Sequence, residues 1–385
     1  MKRAILVAGL LCFSVAALAG QPDAYSAGVA AMKAGDNSAA AADFRAAAQS
    51  GDARAQGMLG VMYAGGKGVP QDFAKALKWD RLAAQQGLAP AQYDLGYMYD
   101  HGQGVPQNYS EAAKWYRLAA QQGFADAQFA LGNVYDNGQG VPLDYAKALK
   151  WLRLAAQQGL AQAQYVLGMA YQAGFLGAPQ DYAKAAKWYR LAAQQGNAGA
   201  QDLLGIMYGA GLGVQQNNPK ALKWWRLAAQ QGNADAQGNL GLAYYQGQGV
   251  PQDYAKAAKW LRLGAQQGIA AAQFNLGQMY RQGQGVPQDY AEAAKWYRLA
   301  AQQGYADAQL NLGAMYGAGQ GVPQDYVGAY KWRELSKASL KPGSDDYKMA
   351  DSAMAALATM MTPAQIAQAQ QEASAWWAAH HKGGS

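Results

Sequence analysis

The stretch Ala127-Gln128-Phe129-Ala130-Leu131-Gly132-Asn133-Val134-Tyr135 runs through Gly138-Gln139-Gly140-Val141-Pro142 into Asp144-Tyr145-Ala146-Lys147-Ala148-Leu149-Lys150-Trp151. Ala127, Leu131 and Tyr135 recur at i, i+4 and i+8, which is one face of a helix. Gly138 stands where a helix C-cap glycine belongs. Val141-Pro142 predicts an extended connector, because the residue before proline avoids the helical region. Asp144 is placed to cap a second helix. Along that helix Tyr145, Ala148, Trp151 and Ala155 form an amphipathic stripe with Leu152 beside them. Gln157-Gln158-Gly159 ends it, again on glycine.

The same two-helix pattern fills most of the chain. The glycine of its Leu-Gly pair falls at 60, 96, 132, 168, 205, 241, 277 and 313, and the matching tryptophan at 79, 115, 151, 188, 224, 260, 296 and 332. Six of the spacings are 36 residues and one is 37, a fixed period that means a stacked array. One hairpin cannot bury its apolar face alone, so neighbours must stack. The length of 385 residues would otherwise suggest two or three compact domains. A charged fraction of only 15% follows from a Gln- and Ala-rich repeat.

The Ala-x-x-x-Leu-Gly-x-x-Tyr helix, the Gly-x-Gly-Val connector, Asp-Tyr-x-Lys-Ala and Trp-x-x-x-Ala-Ala-x-x-Gly resemble the Sel-1-like repeat family, a relative of the tetratricopeptide repeat. The resemblance covers roughly Ala53 to Ala338. It implies an all-α fold: a right-handed superhelical α/α solenoid of about eight 36-residue repeats with terminal capping helices. It also implies an adaptor or assembly factor that binds protein partners. For bacterial members it implies roles in envelope assembly, polysaccharide export or host contact. Some secreted relatives are described as penicillin-binding, with weak β-lactamase activity and a cysteine pair in each repeat. The single Cys12 of this chain departs from that pattern.

The chain is expected to divide into a signal peptide at 1–19, a degenerate capping hairpin at 20–52, the solenoid at 53–338 and C-terminal capping helices with a tail at 339–385. Lys2-Arg3, the apolar run from Ala4 to Ala16 and Ala17-Leu18-Ala19 form an export leader with an A-x-A cleavage site. Its removal would take Cys12 with it and place the protein in the periplasm or outside the cell, with no transmembrane anchor. In the degenerate hairpin, Ala24 to Gln49, Asp43 takes the tryptophan position. At the other end Asp345 to Met361 reads as one helix, and Thr362-Pro363-Ala364-Gln365 as a capping box opening a last helix to about His380.

Most candidate chemistry dissolves. Gly65-Gly66-Lys67-Gly68 lacks the strand and the hydroxyl residue of a phosphate loop. Adjacent His380-His381 cannot face one way on a helix, and His101 stands alone. No Ser-His-Asp or Cys-His set is present to assign. No catalytic residue, metal or cofactor is therefore assigned, and the chain is read as a non-enzyme. Asp94, Asp100 and Asp136 could approach one another across repeats as paired carboxylates, or line a polar surface. A basic ridge on the second helix runs through Lys75-Lys78-Arg81, Lys147-Lys150-Arg153, Lys184-Lys187-Arg190, Lys220-Lys223-Arg226 and Lys256-Lys259-Arg262. It is either an anion-binding strip or a solvated face whose long stems cover apolar surface. Export makes nucleic acid a poor partner.

Three positions of the first helix vary from copy to copy at i, i+4 and i+7, hence on one face. By analogy with tetratricopeptide repeats that face lines a concave groove. Successive copies place there Tyr93/Tyr97/Asp100 with His101 beside them, Phe129/Asn133/Asp136 and Tyr165/Met169/Gln172. A later copy places Phe274/Gln278/Arg281. Exposed aromatics with neighbouring amides suit a protein or peptide partner, or a polysaccharide or peptidoglycan chain. For Tyr93, Phe129, Tyr165 and Phe274 the alternative is packing between repeats. Gly174-Phe175-Leu176-Gly177 adds one residue to its connector and reads as a contact knob or as a loop folded onto Tyr182.

Overall fold

The computed structural model describes residues 23–380; the expected leader at 1–19, Cys12 and His381 lie outside them. Twenty helices and no strand occur among the described residues. An opening hairpin pairs α1 (Ala24–Lys33) with α2 (Asn37–Gln49). Eight copies follow: α3 (Ala53–Gly65) with α4 (Phe73–Gln85), α5 (Ala89–His101) with α6 (Tyr109–Gln121), α7 (Ala125–Asn137) with α8 (Tyr145–Gln157), and α9 (Ala161–Ala173) with α10 (Tyr182–Gln194). The series continues with α11 (Ala198–Ala210) and α12 (Asn218–Gln230), α13 (Ala234–Gln246) and α14 (Tyr254–Gln266), α15 (Ala270–Gln282) and α16 (Tyr290–Gln302), and α17 (Ala306–Ala318) and α18 (Tyr326–Ala338). Helices α19 (Asp345–Ala358) and α20 (Pro363–His380) close the chain. The helices form two compact units, one ending at Leu191 and the other starting at Ala192. From α1 to α9 and from α11 to α18 each helix packs on the next in sequence, and α19 and α20 both pack on α18, so each unit is an α/α stack.

The boundaries have local causes. Asp144 accepts from the Lys147 amide at 2.9 Å and caps α8. Asn217 caps α12 in the same way, with Pro219 in its first turn, so this copy keeps its start despite losing Asp-Tyr-Ala. Gly138 ends α7 with φ +66°. Thr362 and Gln365 exchange hydrogen bonds of 2.9 and 3.3 Å, the reciprocal capping box at the start of α20. In the longer connector Leu176 is buried and held at φ +57°, while Phe175 stays exposed.

The core is a column of small and medium residues. Leu59, Leu95, Leu131 and Leu167 are fully buried in the first unit, as are Leu204, Leu240, Leu276 and Leu312 in the second. Each contributes about 2 kcal/mol by leaving water. The glycine after each leucine admits the residue that follows the copy's tryptophan. A Cβ on Gly96 would lie 2.7 Å from the Tyr116 ring, and one on Gly168 2.6 Å from the Tyr189 ring.

A buried glutamine ladder ties copies together. Gln128 on α7 donates to the Ala120 carbonyl on α6 at 3.2 Å and accepts from Gln158, after α8, at 2.7 Å. Gln56/Gln86, Gln92/Gln122, Gln201/Gln231, Gln237/Gln267 and Gln273/Gln303 repeat the exchange at 2.7–2.8 Å. One amide thus joins three helices. Gln128→Leu keeps the volume but strands a carbonyl and an amide, which should cost about 2 kcal/mol. Chemical denaturation of the variant measures this, and an unchanged midpoint would show the ladder to be passive.

Candidate functional site

The variable face of the first helices is not uniform. Its first column turns inward. Tyr93 is half-buried, with ring centroids 5.7 Å from Tyr116 and 5.5 Å from Phe124. Tyr165 lies 6.1 Å from Tyr189. Phe274 is buried between Tyr297 and Tyr305, at 5.7 and 5.2 Å. Phe129 is half-buried in the same register. These aromatics fill the space between a hairpin and the start of the next copy, and the structure does not bring Phe274 to the surface.

The second and third columns stay accessible: Tyr97, Asn133, Met169 and Gln278, and Asp100, Asp136, Gln172 and Arg281, are all half-buried. In α5 the Tyr97 ring stacks on His101 at 3.9 Å with an interplanar angle of 21°. His101 Nδ1 lies 3.1 Å from the Tyr97 carbonyl, so it carries the proton and donates. The same nitrogen is 3.7 Å from Asp100 Oδ2. From below, the Tyr116 hydroxyl donates to Asp100 Oδ2 at 3.3 Å. Burial, then the charge on Asp100, hold that phenol well above its ordinary pKa, so it remains a donor. In α9 Gln172 accepts from the Tyr189 hydroxyl at 2.6 Å. Near Arg281 the Tyr297 phenol is pushed up to about 12 by burial, and its hydroxyl has no hydrogen-bond partner.

Of the anchoring column on the second helix, the sequence pattern picks out only Leu152, beside the amphipathic stripe. The column consists of Asp80, Tyr116, Leu152, Tyr189, Trp225, Leu261, Tyr297 and Arg333, each directly after the repeated tryptophan. Variation at that position was the available signal. Asp80 is its exception. This carboxyl is buried, Oδ1 has no partner, and it presses on Gly60. Burial first, then neighbouring Asp94, push its pKa well above the usual range. Asp94 is pushed up to about 7 by burial and then by Asp126. The charge of Asp94 thus acts on Asp80 and that of Asp126 on Asp94, while Asp100 accepts from the Tyr116 hydroxyl. No group of three His, Cys, Asp or Glu among the described residues has metal-holding geometry.

The basic ridge is largely spoken for. Lys75, Lys147, Lys184 and Lys256 pair with the capping aspartates Asp72, Asp144, Asp181 and Asp253 at 2.8–3.0 Å. Lys78, Lys150, Lys223 and Lys259 lie over their adjacent tryptophan rings at 5.6–5.9 Å. Arg81, Arg153, Arg226 and Arg262 donate to the tyrosine hydroxyl of the following copy at 3.0–3.3 Å. These cations cap helices and join copies, which favours the structural reading of the ridge.

The family model described as Sel1 repeat matches eight consecutive segments: 53–88, 89–124, 125–160, 161–197, 198–233, 234–269, 270–305 and 306–336. A protective antigen of uropathogenic Escherichia coli, c5321, which displays an SLR fold, is 33% identical over 92% of this chain and 83% of its own, with a TM-score of 0.62. A Sel1 repeat protein from Oxalobacter formigenes is 34% identical over 91% of this chain and 98% of its own, with a TM-score of 0.59. No curated protein matches the chain.

Proposed function

The chain belongs to the Sel1 repeat family, a repeat scaffold typical of protein–protein interaction, and we propose that it binds a protein or peptide partner through the first-helix face of its first unit. One observation carries this reading. Above the constant, fully buried leucine column, Tyr97, Asp100, His101, Asn133, Asp136, Met169 and Gln172 change identity from copy to copy while staying accessible. Columns that only pack also vary, as Asp80 to Arg333 do, but they face inward; variation among accessible side chains is what a recognition surface requires. The Tyr97–His101 stack is a flat aromatic surface, its imidazole held by the Tyr97 carbonyl beside an Asp100 that Tyr116 holds, an anchor of the kind that dominates interfaces. The leader at 1–19 supports an exported protein acting in the periplasm or outside the cell. No helix among the described residues is long and apolar enough to cross a membrane. No catalytic residue, metal or cofactor is assigned.

A photo-crosslinker at position 97 should capture a defined partner in cells, and one at Leu118, on the exposed side of α6, should not. Tyr97→Ala, Asn133→Ala and Asp136→Ala combined should weaken that capture at least about tenfold, as expected for loss of an anchor worth about 2 kcal/mol. The thermal unfolding curve should be preserved. Undiminished capture by the folded triple variant would remove this face from consideration. The aromatic stack also offers a sugar ring a surface, and glycan-array binding in place of protein capture would favour that second reading.

A further inference from the structure

The glutamine ladder has an unfinished rung at its end, in the second unit. Gln309 on α17 is 1% exposed and donates to the Ala301 carbonyl at 3.1 Å, as its counterparts do. Its Oε1 has no hydrogen-bond partner. In six earlier copies that acceptor is filled by the carboxamide of a glutamine thirty residues on. Here that position is Ser339, whose side chain is too short to reach across. A pocket of about 230 Å³ occupies the place, lined by Gln309, Gly304 and Ser339 and by Trp376, Trp377 and His380 of α20.

The completed rungs specify what the pocket accepts. Gln122 Nε2 donates both to Gln92 Oε1 at 2.8 Å and to the Gly87 carbonyl at 2.9 Å. Gln267 Nε2 does the same to Gln237 Oε1 at 2.8 Å and the Gly232 carbonyl at 3.1 Å. Gly304 is the equivalent glycine, so the pocket presents the acceptor pair used twice elsewhere in the chain. Two convergent acceptors, with no carboxylate, lysine or arginine among the lining residues, match the two N–H donors of a neutral primary carboxamide. A volume below the usual range for small-molecule sites fits one side chain. Indole and imidazole walls, with Trp376 and His380 stacked at 4.0 Å, suit the methylene stem of such a side chain.

We propose that this pocket binds the carboxamide side chain of a glutamine presented by a peptide, which completes the eighth rung. The site is separate from the first-helix face of the first unit, so either can fail alone. The probe is an acetylated, amidated Gly-Gln-Gly peptide titrated into the full chain, followed by the indole N–H resonances of Trp376 and Trp377, assigned by Trp376→Phe and Trp377→Phe. The glutamine peptide should shift them saturably, and the glutamate counterpart about tenfold more weakly, because a carboxylate sets oxygen against two acceptors. Ser339→Gln supplies the amide internally. It should raise the unfolding temperature and abolish the peptide-induced shifts, whereas Ser339→Ala should retain them. Equal shifts from both peptides, or undiminished binding by Ser339→Gln, would overturn the proposal.

Discussion

Asp80→Leu should raise the thermal unfolding midpoint at neutral pH by about 6 °C. The wild-type carboxyl is 2% exposed and leaves Oδ1 without a partner, which costs about 2 kcal/mol. Leucine already fills the same position over Gly132 and Gly241, as Leu152 and Leu261, so its shape is compatible with the site. The effect should depend on pH with a fixed sign. Burial raises the folded Asp80 pKa above its ordinary value of 3.8, so the native state keeps a proton that the unfolded chain releases. That contribution is complete below about pH 4 and is lost as pH climbs through the folded value. Asp94 behaves alike, with its window closing near pH 7. Wild-type stability should therefore decline from mildly acid to mildly alkaline solution, and Asp80→Leu should flatten part of the decline. Unfolding curves for both proteins at the two ends of that window decide the matter. A variant less stable than wild type at both would contradict the assignment.

Gly140→Val should damage the first unit more than any surface change. Gly140 sits at φ +72°, and a Cβ there would lie 2.3 Å from the carbonyl carbon of Tyr109, at the start of α6 in the preceding copy. A β-branched residue meets both the left-handed penalty of about 1–2 kcal/mol and a clash with rigid backbone. Together these should reach about 3 kcal/mol or more. Gly159→Val separates the two causes. Gly159 has φ +94° and no atom within 4 Å of where a Cβ would stand, so only the dihedral strain applies. Hydrogen exchange should show that Gly140→Val uncouples α5–α6 from α7–α8, because a stacked array is held by nearest-neighbour interfaces. Equal losses from the two valine variants would show that the inter-copy contact is unimportant.

The period of 36 residues made the helices, their caps and the leucine core legible, because each depends on local spacing and on Gly, Pro and Asp chemistry that the chain repeats. The polar wiring was not legible in the same way. Hydrophobic periodicity assigns a residue to a face without saying which buried polar group meets which. The Gln128–Gln158 exchange spans thirty residues and the Arg153–Tyr171 bond eighteen, and in neither pair do the two residues share a helix, so no periodicity along one helix connects them. The variable first-helix columns were visible, but the inward turn of Tyr93 and Phe274 depends on Tyr116 and Tyr297, whose column was masked by the invariant tryptophan before it. Asp80 looked like ordinary variation until Gly60 was seen beneath it.

The sameness of the junctions has a consequence for how such a chain can change length. Excising residues 89–124 would join Leu88 to Ala125. Arg81 would then face Tyr135 in place of Tyr99, and Gln128 would find the Ala84 carbonyl in place of Ala120, atom for atom the bonds that were cut. Unequal recombination between copies therefore yields a shortened or lengthened protein with no new seam to repair, while the accessible residues on the deleted copy are lost as a set. Selection can edit what the surface recognises in whole cassettes, leaving the scaffold's own grammar untouched.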